Sequence, residues 1–237
     1  MSILRVTKLN AVPAGYKVIM ALQEAIFQQR KLGTIEDTMI LLQHSPVYTM
    51  GKRGSDADFP DGMNKALASG AEIATSPRGG ETTYHGPGQL ILYPIVNLRE
   101  LHLGPRKYVE TLEDIMIDTA AKFGVKARGR ICGKTGVWVE NRKLGAIGVA
   151  VSGGYTRHGL AMNVSTDLSA FSDIVPCGDA ERQVTSLEKE SESTGPSLDD
   201  AANVLAESAA KRLGFEGISW LPDVHTLLKA NASLGKM

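Results

Sequence analysis

The hydrophobic pattern over residues 136–165 has a period of two, and this stretch limits the possible folds more than any other part of the chain. It consists of three successive segments, VWVE, KLGAIGVAVS and RHGLAMNVS. Asn141-Arg142 separates the first two segments and Gly153-Gly154 the last two, and both pairs are typical of turns. We therefore predict an antiparallel three-stranded meander.

Helices and further strands flank this meander. Helical spacing of apolar residues occurs in three stretches, at about 14–33, 106–123 and 198–214. Short strands are predicted at residues 3–9 (as an edge strand), 38–43, 71–75 and 89–96. Without a regular βαβ alternation, a Rossmann fold is disfavoured. We expect an α+β fold with a mixed, largely antiparallel central sheet backed by helices, in one domain over residues 1–222 with a peripheral tail at 223–237.

Charge and cysteine usage narrow the function classes. The 26 basic and 26 acidic residues cancel, which argues against a nucleic-acid binder, and no apolar run is long enough for a membrane span. Residues 1–31 contain Glu24 as their only acid, as in a transit peptide, but their helical pattern favours folded structure. Cys132 and Cys177 cannot form a disulfide framework, so we expect free thiols and a reducing compartment. The two lack CxxC spacing, and the His and Cys residues are too scattered for a zinc site, so we expect no metal.

A glycine-rich segment over residues 78–89, RGGETTYHGPGQ, is the first candidate site. Glycine lacks a Cβ, so it permits either a tight loop between strands or a close approach of the backbone to a ligand. The segment matches neither the Walker A nor the GxGxxG pattern. His85 within it has the chemistry of a general base or of a hydrogen-bond partner.

Cys177 and Lys143 are the second candidate site. Cys177 lies in IVPCGD, where the neighbouring proline and glycine suit a presented thiol as well as a buried structural cysteine. Lys143 opens the second meander strand, where a lysine is either solvated or placed beside a thiol. Beside a thiol, its charge would favour the thiolate and lower the pKa of the cysteine. The two residues are 34 positions apart, so the sequence alone leaves their contact open.

Four blocks of residues together resemble the octanoyltransferases of lipoate biosynthesis. These are RGGETTYHGPGQLILYPI, TGVWVENRKLGAIGV, RHGLAMNV, and IVPCG followed by VTSL, in the order and at the spacing of that family. The resemblance implies the fold of the biotin/lipoate protein ligases and no cofactor. It also implies transfer of an octanoyl group from octanoyl-acyl carrier protein to a lysine of lipoyl domains. These acceptors belong to 2-oxoacid dehydrogenase complexes and to the glycine cleavage H protein.

The resemblance also assigns the site. Cys177 becomes the nucleophile that carries an acyl-thioester, and Lys143 the residue that lowers its pKa. The substrate pocket is implied to contain Arg78, Gly79, Gly80, Glu81, Thr82, Thr83, Tyr84, His85, Ala146, Ile147, Gly148, Gly159, Leu160 and Ala161. We expect backbone N–H groups near Gly178 to stabilise the oxyanion. Asp179 departs from the aliphatic residue that is common in the family at that position, and we expect its carboxylate to face solvent.

Other functions remain open at this point. An ATP-dependent lipoate or biotin ligase would share the fold without needing Cys177. Transfer of octanoyl between lipoyl domains, or silent binding of acyl or lipoyl domains, would also use the pocket. For an acidic carrier protein, we predict that the pocket mouth is ringed by Arg128, Arg130, Lys134, Arg142 and Arg157. The resemblance implies a monomer, cytoplasmic in bacteria and located in the mitochondrial matrix or plastid stroma in eukaryotes.

Overall fold

The computed structural model describes residues 2–174, 183–192 and 195–234. Its strands are β1 (Ile3–Thr7), β2 (Thr38–Leu42), β3 (Val47–Met50), β4 (Glu72–Thr75), β5 (Thr82–His85), β6 (Gln89–Ile95), β7 (Val137–Val139), β8 (Arg142–Ser152), β9 (Tyr155–Asn163) and β10 (Gly217–Leu221). Its α-helices are α1 (Tyr16–Lys31), α2 (Met63–Ala68), α3 (Pro105–Lys122), α4 (Leu187–Glu190), α5 (Leu198–Leu213) and α6 (Val224–Leu234). Two short 3-10 helices lie at Asp56–Asp58 and Leu168–Asp173.

A seven-stranded sheet forms the centre of the fold, in the order β10-β1-β2-β6-β9-β8-β7. The pairs β10/β1 and β1/β2 are parallel, and the remaining four pairs are antiparallel. The predicted meander is strands β7, β8 and β9. The prediction of a mixed, largely antiparallel sheet backed by helices is confirmed.

Helices cover both faces of this sheet, because its central strands are apolar on both sides. Successive side chains of a strand point to opposite faces. Met39 and Leu41 of β2 therefore pack in a core with α3 and α5, whereas Ile40 and Leu42 pack in a second core with α1. Within the described residues, no helix combines the length and apolar character needed to cross a bilayer.

The predicted helix ends agree with the structure. The Ser197 hydroxyl accepts a hydrogen bond from the Asp200 backbone N–H, which caps the start of α5. Gly214 ends α5 in the left-handed conformation, with φ of 82°, and Gly124 has φ of 77° just after α3. The helix limits therefore follow from local chemistry.

A second sheet of three strands, in the order β4-β3-β5, packs around its own core. Strand β3 pairs in parallel with β4 and antiparallel with β5. The sequence analysis did not predict β3 or β5. Residues TTYH of the glycine-rich segment form β5, so this segment is partly a strand and not only a loop.

The edge of the large sheet also differs from the prediction. Strand β1 is not an edge strand, because the unpredicted strand β10 pairs with it from Ile3↔Gly217 to Thr7↔Leu221. Val224, at the start of α6, is fully buried in the core shared with α1. The proposed domain limit at residue 222 stays a prediction.

Candidate active site

A cavity of about 300 Å³ is lined by strands of both sheets. The small sheet contributes β5, and the large sheet contributes β6, β8 and β9. Tyr16 at the start of α1 and Phe171 of the second 3-10 helix complete parts of the wall. The loop before β7 contributes Gly133, Lys134 and Thr135. The two sheets thus bring together residues that are far apart in the sequence.

The structure places most of the predicted pocket residues in this wall. Those lining the cavity are Arg78, Gly80, Glu81, Thr82, Thr83, His85, Ala146, Ile147, Gly148, Gly159, Leu160 and Ala161. Gly79 and Tyr84 do not line it. The Gly79 N–H is bonded to the Val149 carbonyl at 2.9 Å, and the Tyr84 ring packs into the core of the small sheet beside Tyr48, 5.2 Å between centroids.

Lys143 also lines the cavity, at the start of β8. Cys177, Gly178 and Asp179 lie outside the described residues, so their predicted roles stay predictions. The residues that follow this segment do reach Lys143. Its backbone N–H donates to the Gln183 carbonyl at 2.8 Å, and its carbonyl accepts from the Thr185 N–H at 2.9 Å.

Arg78 is a buried cation in the wall, 8% exposed. Its guanidinium donates to the Thr49 carbonyl at 2.6 Å, to the Thr49 hydroxyl at 2.7 Å and to the Gly79 carbonyl at 3.1 Å. In the described part of the chain it pairs with no carboxylate, and burial lowers the pKa of Arg78. A buried charge with only neutral partners attracts an oxygen atom of any ligand that enters the cavity.

His85 is held by hydrogen bonds on both ring nitrogens. Its Nδ1 lies 2.7 Å from the Gln89 side-chain carbonyl, which can only accept, so Nδ1 carries the proton. Its Nε2, 3.3 Å from Oγ1, then accepts from the Thr49 hydroxyl. Burial holds the pKa of His85 well below its usual value, so the ring is neutral. This arrangement suits a wall residue that orients its neighbours.

The hydrogen bonds continue from His85 across the floor of the cavity. The Gln89 amide donates to the Asn163 side-chain oxygen at 2.9 Å. The Asn163 amide in turn donates to the Thr185 carbonyl at 2.9 Å. Since Thr185 is bonded to Lys143, this chain of donors and acceptors links β5, β6 and β9 to the residues beside Lys143.

Two further histidines belong to this region: His158 lines the cavity, and the His44 ring lies beside those of His85 and Tyr93. Burial lowers the pKa of His44 to about 4 and that of His158 to about 3, so both rings are neutral at pH 7. His44 Nδ1 faces the Ala14 carbonyl, so its Nε2 accepts from the Tyr93 hydroxyl at 2.9 Å. Neutral rings let this cluster pack beside the Arg78 charge.

Sequence reasoning missed several residues of the wall. These are Tyr16, Arg53, Gln89, Tyr93, Gly133, Thr135, His158, Asn163, Phe171, Gln183 and Val184. Five of them lie on strands or at a helix start, and the others lie on loops or on the second 3-10 helix. Gln89 and Asn163 carried a usable signal, because a buried polar side chain at the end of an apolar strand requires a hydrogen-bond partner, and the two residues are paired across β6 and β9.

The predicted ring of basic residues is not assembled at this cavity. Of the five, only Lys134 lines the wall within the described residues. Arg130 pairs with Asp114 at 2.5 Å, Arg142 pairs with Glu190 at 2.8 Å, and Arg157 pairs with Glu24 on α1. These three charges are therefore already compensated by carboxylates of the same chain.

Comparisons with known proteins agree with this architecture. Residues 15–210 match the family model "Lipoyl protein ligase A/B catalytic domain". The mitochondrial octanoyltransferase LIP2 of Arabidopsis thaliana is 45% identical over 226 residues, which cover 95% of each chain. Two solved structures share the fold at low identity. A lipoate-protein ligase A bound with ATP has a TM-score of 0.75 and 15% identity, covering 97% of this chain and 94% of its own. A bipartite lipoate protein ligase of Thermoplasma acidophilum, from a study with its E2 lipoyl domain, has a TM-score of 0.72 and 17% identity, covering 94% and 87%.

Proposed function

We propose that this chain, which belongs to the octanoyltransferases, transfers an acyl group in two steps. The octanoyltransferases are the acyl-transferring enzymes within the lipoyl protein ligase A/B catalytic domain family. In the first step, the Cys177 thiolate attacks the thioester carbonyl of octanoyl-acyl carrier protein. The carrier leaves as a thiol, and Cys177 holds the octanoyl group as a thioester. In the second step, the neutral amine of a lipoyl-domain lysine attacks this thioester. An amide forms, and the Cys177 sulfur leaves.

The observation that carries this proposal is the position of Lys143. Lys143 lines the cavity, and its backbone is hydrogen-bonded to residues 183–185. These residues follow Cys177 by six to eight positions. Phe171 before the cysteine segment, and Gln183 and Val184 after it, line the same cavity. Described residues on either side of the segment that contains Cys177 therefore lie at this wall.

The chemistry of each step assigns a role to Lys143. An ammonium beside a thiol favours the thiolate, which is the nucleophilic form. The second step needs a base, because the attacking amine must lose a proton as the amide forms. We assign both proton transfers to Lys143. Its ammonium gives a proton to the departing carrier thiolate in the first step, and the resulting neutral amine takes the proton of the attacking lysine in the second. Exchange of one thioester for another is close to thermoneutral, so positioning and a thiolate are the main requirements of the first step.

The cavity wall supports an acyl substrate. Ala146 and Ala161 are paired across β8 and β9, as are Gly148 and Gly159, so small side chains border the space where a chain of methylenes would lie. Each buried methylene contributes about 0.8 kcal/mol. A slot that buries an octanoyl tail therefore supplies several kcal/mol of binding energy.

The test is the mass of the intact protein after mixing with octanoyl-acyl carrier protein and no acceptor. We expect gain of one octanoyl group, which hydroxylamine removes. Cys177→Ser should abolish the adduct, whereas the matched variant Cys132→Ser, at the exposed cysteine, should keep it. Addition of a lipoyl domain should then move the group to the domain's lysine. If transfer instead requires ATP and free octanoate, and no adduct forms, the chain is a ligase and the proposal fails.

A further inference from the structure

Two lysine side chains of the cavity wall lie over a single tryptophan. The Lys143 Nζ is 5.4 Å from the centroid of the Trp138 ring, and the Lys134 Nζ is 5.5 Å from the same centroid. Trp138 is only 1% exposed. Both distances are within the range of cation–π attraction, which is strongest for the indole ring and increases when the pair is removed from water.

The strand pairing places Trp138 and Lys143 side by side. Trp138 of β7 pairs with Lys143 of β8, and Val137 pairs with Gly145, so the register shifts by one residue at this point. A bulge of this kind changes the direction of the side chains next to it. Leu144, the extra residue, is fully buried in the core with α3.

Gly136 leaves room for the lysine stem. A Cβ added to Gly136 would lie 2.9 Å from Lys143 Cε and 2.5 Å from the Gly145 carbonyl oxygen. The φ of Gly136 is also 122°, which side chains rarely adopt. On the outer side, the backbone of Trp138 exchanges two hydrogen bonds of 2.8 Å with Arg128. The backbone of Trp138 is thus paired on both sides, and a side chain at position 136 would collide with the Lys143 stem.

Core packing alone does not explain a tryptophan at position 138. The Trp138 Nε1 is buried and has no hydrogen-bond partner among the described residues. A buried donor without a partner is destabilising, and phenylalanine or leucine would avoid that penalty. What tryptophan adds is the larger negative face of its ring, and this is the part that meets the two ammonium groups.

We propose that Trp138 is a positioning residue, whose ring holds the Lys143 ammonium in place for its action on Cys177. Lys134 brings a second positive charge to the same ring, and like charges repel each other. The attraction of the ring opposes this repulsion and restricts the positions that the flexible Lys143 side chain can take. This inference rests on the function proposed above, in which Lys143 favours the Cys177 thiolate.

The experiment measures how fast iodoacetamide alkylates Cys177 as a function of pH, in a Cys132→Ser background so that one thiol reacts. We expect Trp138→Leu to shift the profile to higher pH and to lower the rate at pH 7 by about 3- to 30-fold. Trp138→Phe, which keeps a smaller ring, should give a smaller shift. Lys143→Met should give the full shift, since it removes the charge.

A double-mutant cycle separates positioning from packing. If Trp138 acts through Lys143, then Trp138→Leu changes nothing further in the Lys143→Met background. If it only supports the core, it slows alkylation by the same factor in both backgrounds, and the inference is wrong. The matched control is Trp220→Leu, which makes the same change at the other tryptophan, on β10 and 39% exposed. It should leave the profile unchanged.

The two proposals fail in different ways. If Lys143→Met leaves the alkylation profile unchanged, Lys143 does not act on the thiol, and both the assigned role and this inference are overturned. If Lys143→Met shifts the profile and neither Trp138→Leu nor Trp138→Phe does, only the role of Trp138 is overturned. Because Trp138→Phe keeps most of the buried ring, it serves as the test if Trp138→Leu does not fold.

Discussion

Glu113 of α3 holds the loop that leads into the cavity wall, and its removal should be measurable as lost stability. The side chain is 4% exposed, and each carboxylate oxygen accepts one backbone N–H. Oε1 accepts from Gly136 at 3.0 Å, and Oε2 accepts from Arg130 at 2.9 Å. Among the described residues it has no salt bridge. It therefore ties both ends of the segment that carries Lys134 to the helix.

Glu113→Gln keeps the shape but removes one acceptor. One of the two backbone N–H groups would face the NH2 of the new glutamine and lose its acceptor, which costs about 1–3 kcal/mol. The other N–H would bond to a neutral amide oxygen, which is a weaker acceptor than a carboxylate. We expect the free energy of unfolding to fall by about 2–3 kcal/mol. At this chain length that lowers the Tm by about 4–12 °C.

Urea denaturation and thermal melting would measure this change. The matched control is Glu110→Gln, one turn earlier on α3, where the carboxylate pairs, among the described residues, only with the exposed Arg106 and Lys107. Such pairs contribute about 0–1 kcal/mol. The reasoning is refuted if the free energy of unfolding of Glu113→Gln lies within about 0.5 kcal/mol of that of the unmodified chain. Ordinary surface substitutions vary by that amount.

Two further predictions concern pH and chain length. Burial lowers the pKa of His44 to about 4, so between about pH 6.5 and 4 the unfolded chain binds a proton at this residue that the folded chain does not. The free energy of unfolding should therefore fall as the pH falls, by up to about 1.4 kcal/mol per pH unit from this group. In urea titrations at several pH values, His44→Gln should make the free energy of unfolding depend less steeply on pH, whereas His102→Asn, at an exposed loop position, should not. Equal slopes in the unmodified chain and in both variants would contradict the argument. Ala146→Leu should fill part of the slot, so that kcat/KM favours shorter acyl groups, and octanoyl should bind about 4-fold more weakly for each methylene that no longer fits. Ala150→Leu, on the same strand but outside the cavity wall, should keep the octanoyl preference. An unchanged preference in Ala146→Leu would place the acyl chain elsewhere.

Local chemistry made part of this structure predictable. The period of two over the meander, the Ser197 cap and the glycines after α3 and α5 each act over a few residues, so their effect is visible in the sequence. The four blocks of motif residues likewise led to the family without any structural information. They also led to half of the residues that line the cavity.

The two sheets and their junction could not be predicted in this way. Strand β10 joins β1 across more than two hundred residues, and β3 and β5 are only four residues long. The five basic residues near the meander were expected at one mouth, but pairing with carboxylates on α1, α3 and α4 draws three of them away. Such choices depend on which faces pack together.

The sequence by itself determined helices α1, α3 and α5, the meander and the chemistry of the candidate groups, because these depend on neighbouring residues and on the identity of side chains. Tertiary structure alone decided which groups meet. Arg78 bonds to Thr49, Glu113 bonds to Gly136, and the indole of Trp138 lies beneath two lysines. Each contact joins elements that approach only when strand register and helix packing are set, and no local pattern encodes those distances.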